Sequence, residues 1–187
     1  MSFIEQTLVI VKPDGVQRWL VGEICTRFER VWLKLVAGKL FKAPRDVLEQ
    51  HYPLDRTERV QLLWERTDDG YKELGMDVMQ EFGTDSHLEL GKYIVRWLVD
   101  YMSEGEVFAM VLEWAHAIEV VRKLIGSTVS LKAAPGTIRW DYSCDSIGMA
   151  NLEKRPIRNI IHASWNPEEA KFEVDLWFGD RLNQPPH

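Results

Sequence analysis

Four short apolar runs, each of strand length, constrain the fold of this chain more than any other feature. The first is rich in β-branched residues, the second begins with alternating apolar and polar residues, and the third is continuously apolar. The runs span residues 3–11, 33–41, 107–113 and 159–164. Runs of this length bounded by turn residues are typical of β-strands. The sequence therefore predicts a four-stranded sheet.

Helical patterns fill the intervals between the predicted strands. A helix is predicted over Gly22–Val31, and a second one has Pro44 in its first turn and ends near His51. After the third strand, apolar residues at helical spacing predict a helix that stops at Gly126. The run Asn166-Pro167-Glu168-Glu169 predicts the start of a last helix.

Residues 54–91 differ in character from the rest of the chain, because they carry many charges and show no strong strand pattern. We predict that they form a mostly helical surface insertion within a single domain over residues 1–187. With the second helix and the insertion set aside, the order of elements is βαββαβ. This order predicts an α+β fold in which helices cover one face of an antiparallel sheet.

The composition excludes several classes of protein. Lys and Arg total 23 against 29 Asp and Glu, and the net charge of -6 argues against general binding to nucleic acid or anionic lipid. Any phosphate site must therefore be local. Cys25 and Cys144 have no spacing that suggests a disulfide framework or a zinc site. A signal peptide and a membrane span are not predicted, so we expect a cytoplasmic protein.

His162 and Glu173 are the first candidates for chemistry. His162 lies at the end of the fourth predicted strand, and Glu173 lies beside the apolar stripe of the last helix. A buried carboxylate needs a partner, and a hydrogen bond donated by the imidazole to Glu173 would fix the tautomer of the ring. A structural pair and a catalytic pair both fit, and without further context the structural pair is favoured.

Three cations bear on this choice. Lys12 ends the first strand, Arg122 lies at the margin of a helix's apolar face, and Arg139 follows a tight loop. Single lysines and arginines at such places are mostly solvated surface charges. If the three met at His162, they would form a phosphate clamp in an otherwise acidic protein. Sequence spacing alone leaves both interpretations open.

Several segments resemble, in order, the motifs of nucleoside diphosphate kinases. The resemblance covers most of the chain outside residues 54–91 and 146–155, and it is carried by TLVIVKPDGVQRWLVGEICTRFE, KLVAGK, HY, VRKLIGST, PGTIRWDYS, RNIIHAS and LWF. It implies a ferredoxin-like fold and transfer of the terminal phosphate of a nucleoside triphosphate to a nucleoside diphosphate. It also implies magnesium and a phosphohistidine intermediate. The resemblance favours the catalytic interpretation of His162.

The resemblance also implies individual roles for residues of this chain. His162 would be the nucleophile, Glu173 would orient it, and Ser164 would support the same site. Residues implied to hold phosphates are Lys12, Tyr52, Arg122, Thr128 and Arg139. Asn159, together with Lys12, would reach the sugar hydroxyls. Ile94 stands where the family stacks the base on an aromatic ring, so base contact is expected to be apolar and poorly selective.

The cofactor and partners follow from the same resemblance. Mg²⁺ would arrive on the nucleotide phosphates, and no metal ligand from the protein is implied. The expected substrates are ATP, GTP and other nucleoside tri- and diphosphates, and a homo-oligomer, either hexamer or tetramer, is expected. Membrane and nucleic-acid partners are not expected.

Six of the eight tryptophans stand at unusual positions. The resemblance places glycine at residues 19, 32, 97, 114 and 140, and a small or acidic residue at 165. Five large side chains in place of glycine would cost roughly 5–15 kcal/mol if each caused overpacking. We therefore hypothesise that UGA encodes glycine in the source organism and that these residues are glycine in the native protein. The alternative is that the rings lie harmlessly on the surface.

Two functions remain open at this point. The complete set of site residues favours an active kinase. The tryptophans and Ile94 favour a nucleotide-binding or scaffold protein that keeps the fold but has lost turnover.

Overall fold

A computed structural model describes residues 3–179, apart from the side chains of Arg59, Leu62, Arg66, Asp69 and Glu73. Four strands form one antiparallel sheet in the order β2-β3-β1-β4. The strands are β1 (Ile4–Val11), β2 (Lys34–Phe41), β3 (Val107–Ala115) and β4 (Ile161–Ala163). The predicted ferredoxin-like α+β sheet is confirmed.

Helices account for most of the remaining described residues. They are α1 (Pro13–Gln17), α2 (Val21–Glu29), α3 (Arg45–His51), α4 (Thr57–Glu73), α5 (Val78–Phe82), α6 (His87–Ser103), α7 (Ala117–Ile125), α8 (Ile138–Tyr142), α9 (Ile147–Leu152) and α10 (Pro167–Phe178), with a 3₁₀ turn at Ser130–Lys132. Within residues 3–179, no helix is both long and apolar enough to cross a membrane.

The prediction that the helices cover one face of the sheet is wrong, because they pack on both faces. Leu8 and Ile10 of β1 face a core that includes residues of α3, α6 and α10. Val9 and Val11 face a second core built with residues of α2, α7 and α8. The helices left out of the βαββαβ order are among those that cover the first face. The uninterrupted apolar end of β1 fits a strand that is buried on both faces.

Element boundaries differ from the sequence predictions at three places. The chain forms a short helix, Pro13–Gln17, directly after β1, and Pro44 precedes α3 as its N-cap residue instead of lying in its first turn. The last strand is limited to Ile161–Ala163, because Ile160 leaves the extended conformation with a φ of 69°.

Residues 54–91, the predicted insertion, are mostly helical, as expected, since α4, α5 and the start of α6 occupy most of them. It has a small core in which Trp64 and Tyr71 of α4 pack with Leu90 and Ile94 of α6. Gly91 permits this close approach, because a Cβ built there would lie 2.3 Å from the carbonyl oxygen of Val60. The insertion is therefore docked on α6 and does not extend freely from the domain.

Trp19 and Trp32 occupy backbone conformations that favour glycine. Their φ angles are 59° and 69°, and their side chains are 91% and 75% exposed. A left-handed conformation costs a residue with a Cβ roughly 1–2 kcal/mol. Trp97, Trp114, Trp140 and Trp165 lie outside this region of φ. The backbone thus supports the glycine hypothesis at positions 19 and 32, and the assignment of all six stays a prediction that UGA codons in the gene would verify.

We expect Trp19→Gly to raise the free energy of unfolding by about 1 kcal/mol. The exposed ring contributes little burial, so relief of the backbone strain should dominate. Denaturant unfolding measures the change, and Trp19→Ala is the matched control because it removes the ring but keeps a Cβ. An equal gain in the Ala variant would assign the effect to the ring and contradict the backbone explanation.

Candidate active site

The contact between His162 and Glu173 forms the centre of the site. β4 pairs with β1 so that His162 lies opposite Ile10, and Asn166 caps the helix α10 that carries Glu173. The Nε2 atom of His162 lies 3.1 and 3.0 Å from the two carboxylate oxygens of Glu173. With the Nε2 proton donated to this carboxylate, Nδ1 carries the lone pair and is the nucleophilic nitrogen.

Glu173 is held by further contacts. Its carboxylate accepts a hydrogen bond of 2.6 Å from the Ser164 hydroxyl, and the residue is only 1% exposed. A buried carboxylate with fixed donors cannot turn away from the imidazole without losing these bonds. Glu173 and Ser164 therefore fix the ring orientation of His162.

The backbone immediately before His162 is strained. Ile160 has a φ of 69°, and the Ile161 amide donates to the Asn159 carbonyl at 2.7 Å, as in a γ-turn. The Asp14 carboxylate accepts from the Ile160 amide at 3.1 Å, and the Lys12 amide donates to the Ile160 carbonyl at 2.8 Å. Strain of this kind persists where the surrounding contacts enforce it, often at functional sites.

The two arginines reach the backbone on either side of His162. Arg139 donates to the Ile161 carbonyl at 2.7 Å, and it is anchored to the Gly126 carbonyl at 2.8 Å. Arg122 donates to the Ala163 carbonyl at 3.4 Å, and its guanidinium carbon lies 3.3 Å from the centre of the Trp165 ring. The guanidinium groups therefore converge on β4.

Lys12 belongs to the same group of charges. Its ammonium donates to the Asn159 side-chain oxygen at 2.7 Å, and the residue is 5% exposed. Burial and the neighbouring Arg139 charge lower the pKa of Lys12 to about 8, although Asp14 opposes this shift. Burial and Arg122 lower the pKa of Arg139 to about 9. These mutual effects mean that the positive charges repel one another and would be stabilised by an anion.

The remaining residues that were predicted to contact phosphates or the sugar lie around this group of charges. The Asn159 amide also donates to the Thr128 carbonyl at 2.8 Å, so Asn159 links Thr128 to Lys12. The ring of Tyr52 packs edge-on against His51 at 4.6 Å between centroids, and His51 makes the same contact with His162 at 4.6 Å. The structure thus brings these candidates together around β4.

Ile94 is placed differently. It is 7% exposed and belongs to the insertion core with Trp64 and Tyr71. The burial leaves little of its side chain for a nucleobase, so the structure does not support the predicted base contact. The reason is the insertion itself, whose helix α4 covers this part of α6.

His51 is a site residue that the sequence analysis missed. Its Nδ1 atom accepts from the Trp177 indole at 3.2 Å and lies 3.6 Å from a Glu173 oxygen. The HY pair was assigned only through Tyr52, and no spacing along the chain connects residue 51 with residues 162 and 173. The contact depends on the packing of α3 against α10.

Among the side chains that the structure describes, one group brings several metal-binding atoms together. Donor atoms of His51, His162 and Glu173 lie within 4.8 Å of one another. Two nitrogens and a carboxylate already engaged by Ser164 do not suit Mg²⁺, which prefers oxygen ligands. The gathered cations suit a polyphosphate instead, whose oxygens could carry the magnesium.

A partly buried histidine is held by a carboxylate and lies between two guanidinium groups on a βαββαβ sheet. This arrangement defines a class of site suited to phosphoryl transfer through the imidazole. A sequence profile described as nucleoside diphosphate kinase matches residues 5–61 and 86–182. The chain belongs to the nucleoside diphosphate kinase family.

Individual relatives agree with this membership. The nucleoside diphosphate kinase of Pyrobaculum aerophilum is 46% identical over 175 residues, which cover 94% of this chain and 95% of the relative. A crystal structure of an NDP kinase from the same organism superposes with a TM-score of 0.93 at 44% identity, covering 96% of this chain and 98% of that one.

A more distant structure is informative about chemistry. The nucleoside-diphosphate kinase of Borrelia burgdorferi, solved as a transition-state mimic with vanadate and ADP, superposes with a TM-score of 0.76. It is 34% identical, and the match covers 99% of this chain and 93% of that one. Nucleotide phosphotransfer is therefore the activity that membership of the family supports.

Proposed function

We propose that this protein transfers the terminal phosphate of a nucleoside triphosphate to a nucleoside diphosphate through phospho-His162. The observation that carries the proposal is the imidazole of His162, fixed by Glu173, with Arg122 and Arg139 bound to the carbonyls of residues 163 and 161. A fixed neutral imidazole among cations is suited to attack a phosphorus atom.

The reaction consists of two displacements. Nδ1 of His162 attacks the γ-phosphorus, the bond from that phosphorus to the β–γ bridging oxygen breaks, and the nucleoside diphosphate leaves. A second diphosphate then binds, its terminal phosphate oxygen attacks the phosphohistidine, and the N–P bond breaks. Glu173 keeps the proton on Nε2 throughout, which stabilises the positive charge on the ring while Nδ1 is phosphorylated.

The cations carry the electrostatic part of the proposal. Lys12, Arg122 and Arg139 would neutralise the non-bridging phosphate oxygens in both displacements, because phosphoryl transfer needs alignment and charge stabilisation more than covalent chemistry. Thr128 and Tyr52 would hold the same phosphates, and Asn159 would reach the sugar hydroxyls with Lys12.

Magnesium would be held by the nucleotide phosphates and not by the protein. When bound, it supplies further neutralisation of the phosphate oxygens. A broad choice of nucleotides, including ATP and GTP, is proposed because no selective base contact is evident among the candidate residues.

A catalytically impaired protein of the same fold is the second candidate. Trp165 favours it, because its ring lies against the guanidinium of Arg122 at 3.3 Å and could hinder access of phosphate. The two candidates predict the same binding of nucleotide but differ in covalent chemistry.

Labelling with ATP separates these candidates. The protein is incubated with γ-labelled ATP and Mg²⁺, and phosphate bound to protein is tested for stability in acid and in base. An active enzyme acquires an acid-labile, base-stable phosphate that GDP, CDP or UDP removes as the triphosphate. Nucleotide binding without such a label would support the impaired protein instead.

The organisation of the chain completes the proposal. We infer one domain with residues 54–91 as an insertion, and the stretch between the two matched segments, residues 62–85, supports this division. Assembly into a homo-oligomer, a hexamer or tetramer, and a cytoplasmic location are proposed from the family resemblance and the composition.

A further inference from the structure

Residues 143–158, which follow α8, form a closed loop that leads directly to Asn159. Asp145 closes its base by accepting two hydrogen bonds from Arg155, at 2.6 and 3.1 Å, and one from the Arg158 amide at 2.7 Å. The Ser143 hydroxyl donates to the Arg158 carbonyl at 2.7 Å. Because the loop leads directly to Asn159, the position of the loop determines the position of this residue.

The insertion helix α4 holds the tip of this loop, which is α9. The Asn151 side-chain amide donates to the Thr67 carbonyl at 3.1 Å, and the Tyr71 hydroxyl donates to the Asn151 carbonyl at 3.3 Å. Gly70 makes the approach close, since a Cβ built there would lie 2.2 Å from Ile147 Cγ2. Asn151 and Tyr71 are both buried. These contacts join α9 to α4 with specific geometry.

The same helix is docked on α6 through Gly91 and Val60, so α4 bridges α6 and α9. A cavity of about 150 Å³ lies between α6 and the residues that follow α9, and its lining includes Trp97, Tyr101, Pro156 and Arg158. The ring of Tyr101 lies 5.7 Å from the Lys12 ammonium. The cavity is therefore a cleft between α6 and the loop that α4 joins to it, and Tyr101 connects the lining of this cleft with Lys12.

We propose that Asn151 is a positioning residue for nucleotide binding. Asn151 fixes α9 on α4 and thereby sets the distance between the 143–158 loop and α6. At this distance Asn159 contacts Lys12. The inference rests on the proposed function, because it takes Asn159 and Lys12 as nucleotide contacts. It assigns a purpose to α4, which sets the width of the cleft between α6 and the 143–158 loop.

Asn151→Ala tests this proposal through a split between KM and kcat. Loss of the buried hydrogen bond should loosen the loop and raise the KM for the diphosphate by about 5- to 30-fold. At saturation kcat should stay within about twofold, because bound nucleotide restores the loop and His162 is untouched. Tyr71→Phe removes the second bond and should shift KM in the same direction.

The control is Ile24→Val, which lowers stability in the other core without touching the loop. It should leave KM unchanged. A fall in kcat at unchanged KM in Asn151→Ala, matching a loss of active protein, would show that Asn151 is merely structural and overturn the proposal.

Direct binding of ADP, measured by calorimetry, keeps the two proposals separate. If the wild-type protein forms no phosphohistidine, the proposed function fails, yet a weakened ADP affinity in Asn151→Ala still supports the positioning role. If phosphohistidine forms normally and ADP affinity is unchanged in the variant, only the positioning role is overturned.

Discussion

Replacing His162 by Ala is expected to lower phosphotransfer by roughly 10⁶-fold, the loss typical of removing a catalytic nucleophile. The change removes the atom that would carry the phosphate, while Arg122, Arg139 and Lys12 keep their backbone and side-chain contacts. The variant should therefore still bind ADP but acquire no acid-labile label from ATP. Steady-state transfer from ATP to GDP measures the loss.

The structure offers a matched control for this prediction. His87 begins α6, is exposed, and lies within residues 54–91. His87→Ala should therefore keep full activity and full labelling. Persistence of the label in His162→Ala would move the phosphate to another residue and refute the assigned nucleophile. Loss of ADP binding in that variant would show instead that the substitution disturbed the pocket.

Local sequence patterns predicted the strands and the ends of several helices, whereas the group of site residues was implied by the family resemblance. The apolar run of β1 and the Asn-Pro start of α10 are determined by short-range physics, namely burial and capping. The contact between His162 and Glu173 follows from these elements, because β4 runs directly into α10. Such features can be predicted since both partners lie close together in the chain.

Other features depend on packing between distant segments. The placement of helices on both faces required α3, α6 and α10, which the βαββαβ order omitted. The positive φ of Ile160 is imposed by contacts from Lys12 and Asp14, and a β-branched residue gives no local signal of it. The burial of Ile94 depends likewise on α4. Local propensity contains no information about these long-range contacts.

For the tryptophans, the sequence identified unusual positions first, and the structure then supplied a physical reason for two of them. The family resemblance identified six tryptophans at unusual positions. Of these, Trp19 and Trp32 differ from the other four because their φ angles lie in the left-handed region. Trp32 also stacks on Trp114, with 6.4 Å between ring centroids. A glycine at position 32 would lose that contact, so position 19 is the cleaner place to measure backbone strain.

Lys12→Met is expected to lower kcat/KM by about 10²- to 10³-fold and, unusually, to stabilise the fold. The side chain is almost completely buried, and its ammonium would contact phosphates in both displacements. Replacing a buried charge with an apolar chain of similar length removes the desolvation cost of that charge, which lowers the stability of the wild-type protein. Transfer assays and denaturant unfolding at pH 7 measure the two effects.

The sign of the stability change follows from the lowered pKa of Lys12. Its pKa falls from 10.5 to about 8 on folding, so below pH 8 the folded state bears the full cost of a buried charge, about 3 kcal/mol. Between pH 8 and 10.5 the folded protein loses this proton before the unfolded chain does, and this contribution raises wild-type stability with pH. Loss of the bond to Asn159 offsets about 1 kcal/mol, so Lys12→Met should gain about 2 kcal/mol at pH 7.

The same pKa predicts how activity depends on pH. In the free enzyme, kcat/KM should fall above about pH 8 as Lys12 loses its charge. In Lys12→Met the residual activity should stay level through this range, because the titrating ammonium is absent. Lys34→Met, at the exposed edge of β2, should keep the wild-type profile and stability. An alkaline limb near pH 8 that persists in Lys12→Met would assign that titration to another group and remove Lys12 from the phosphate clamp.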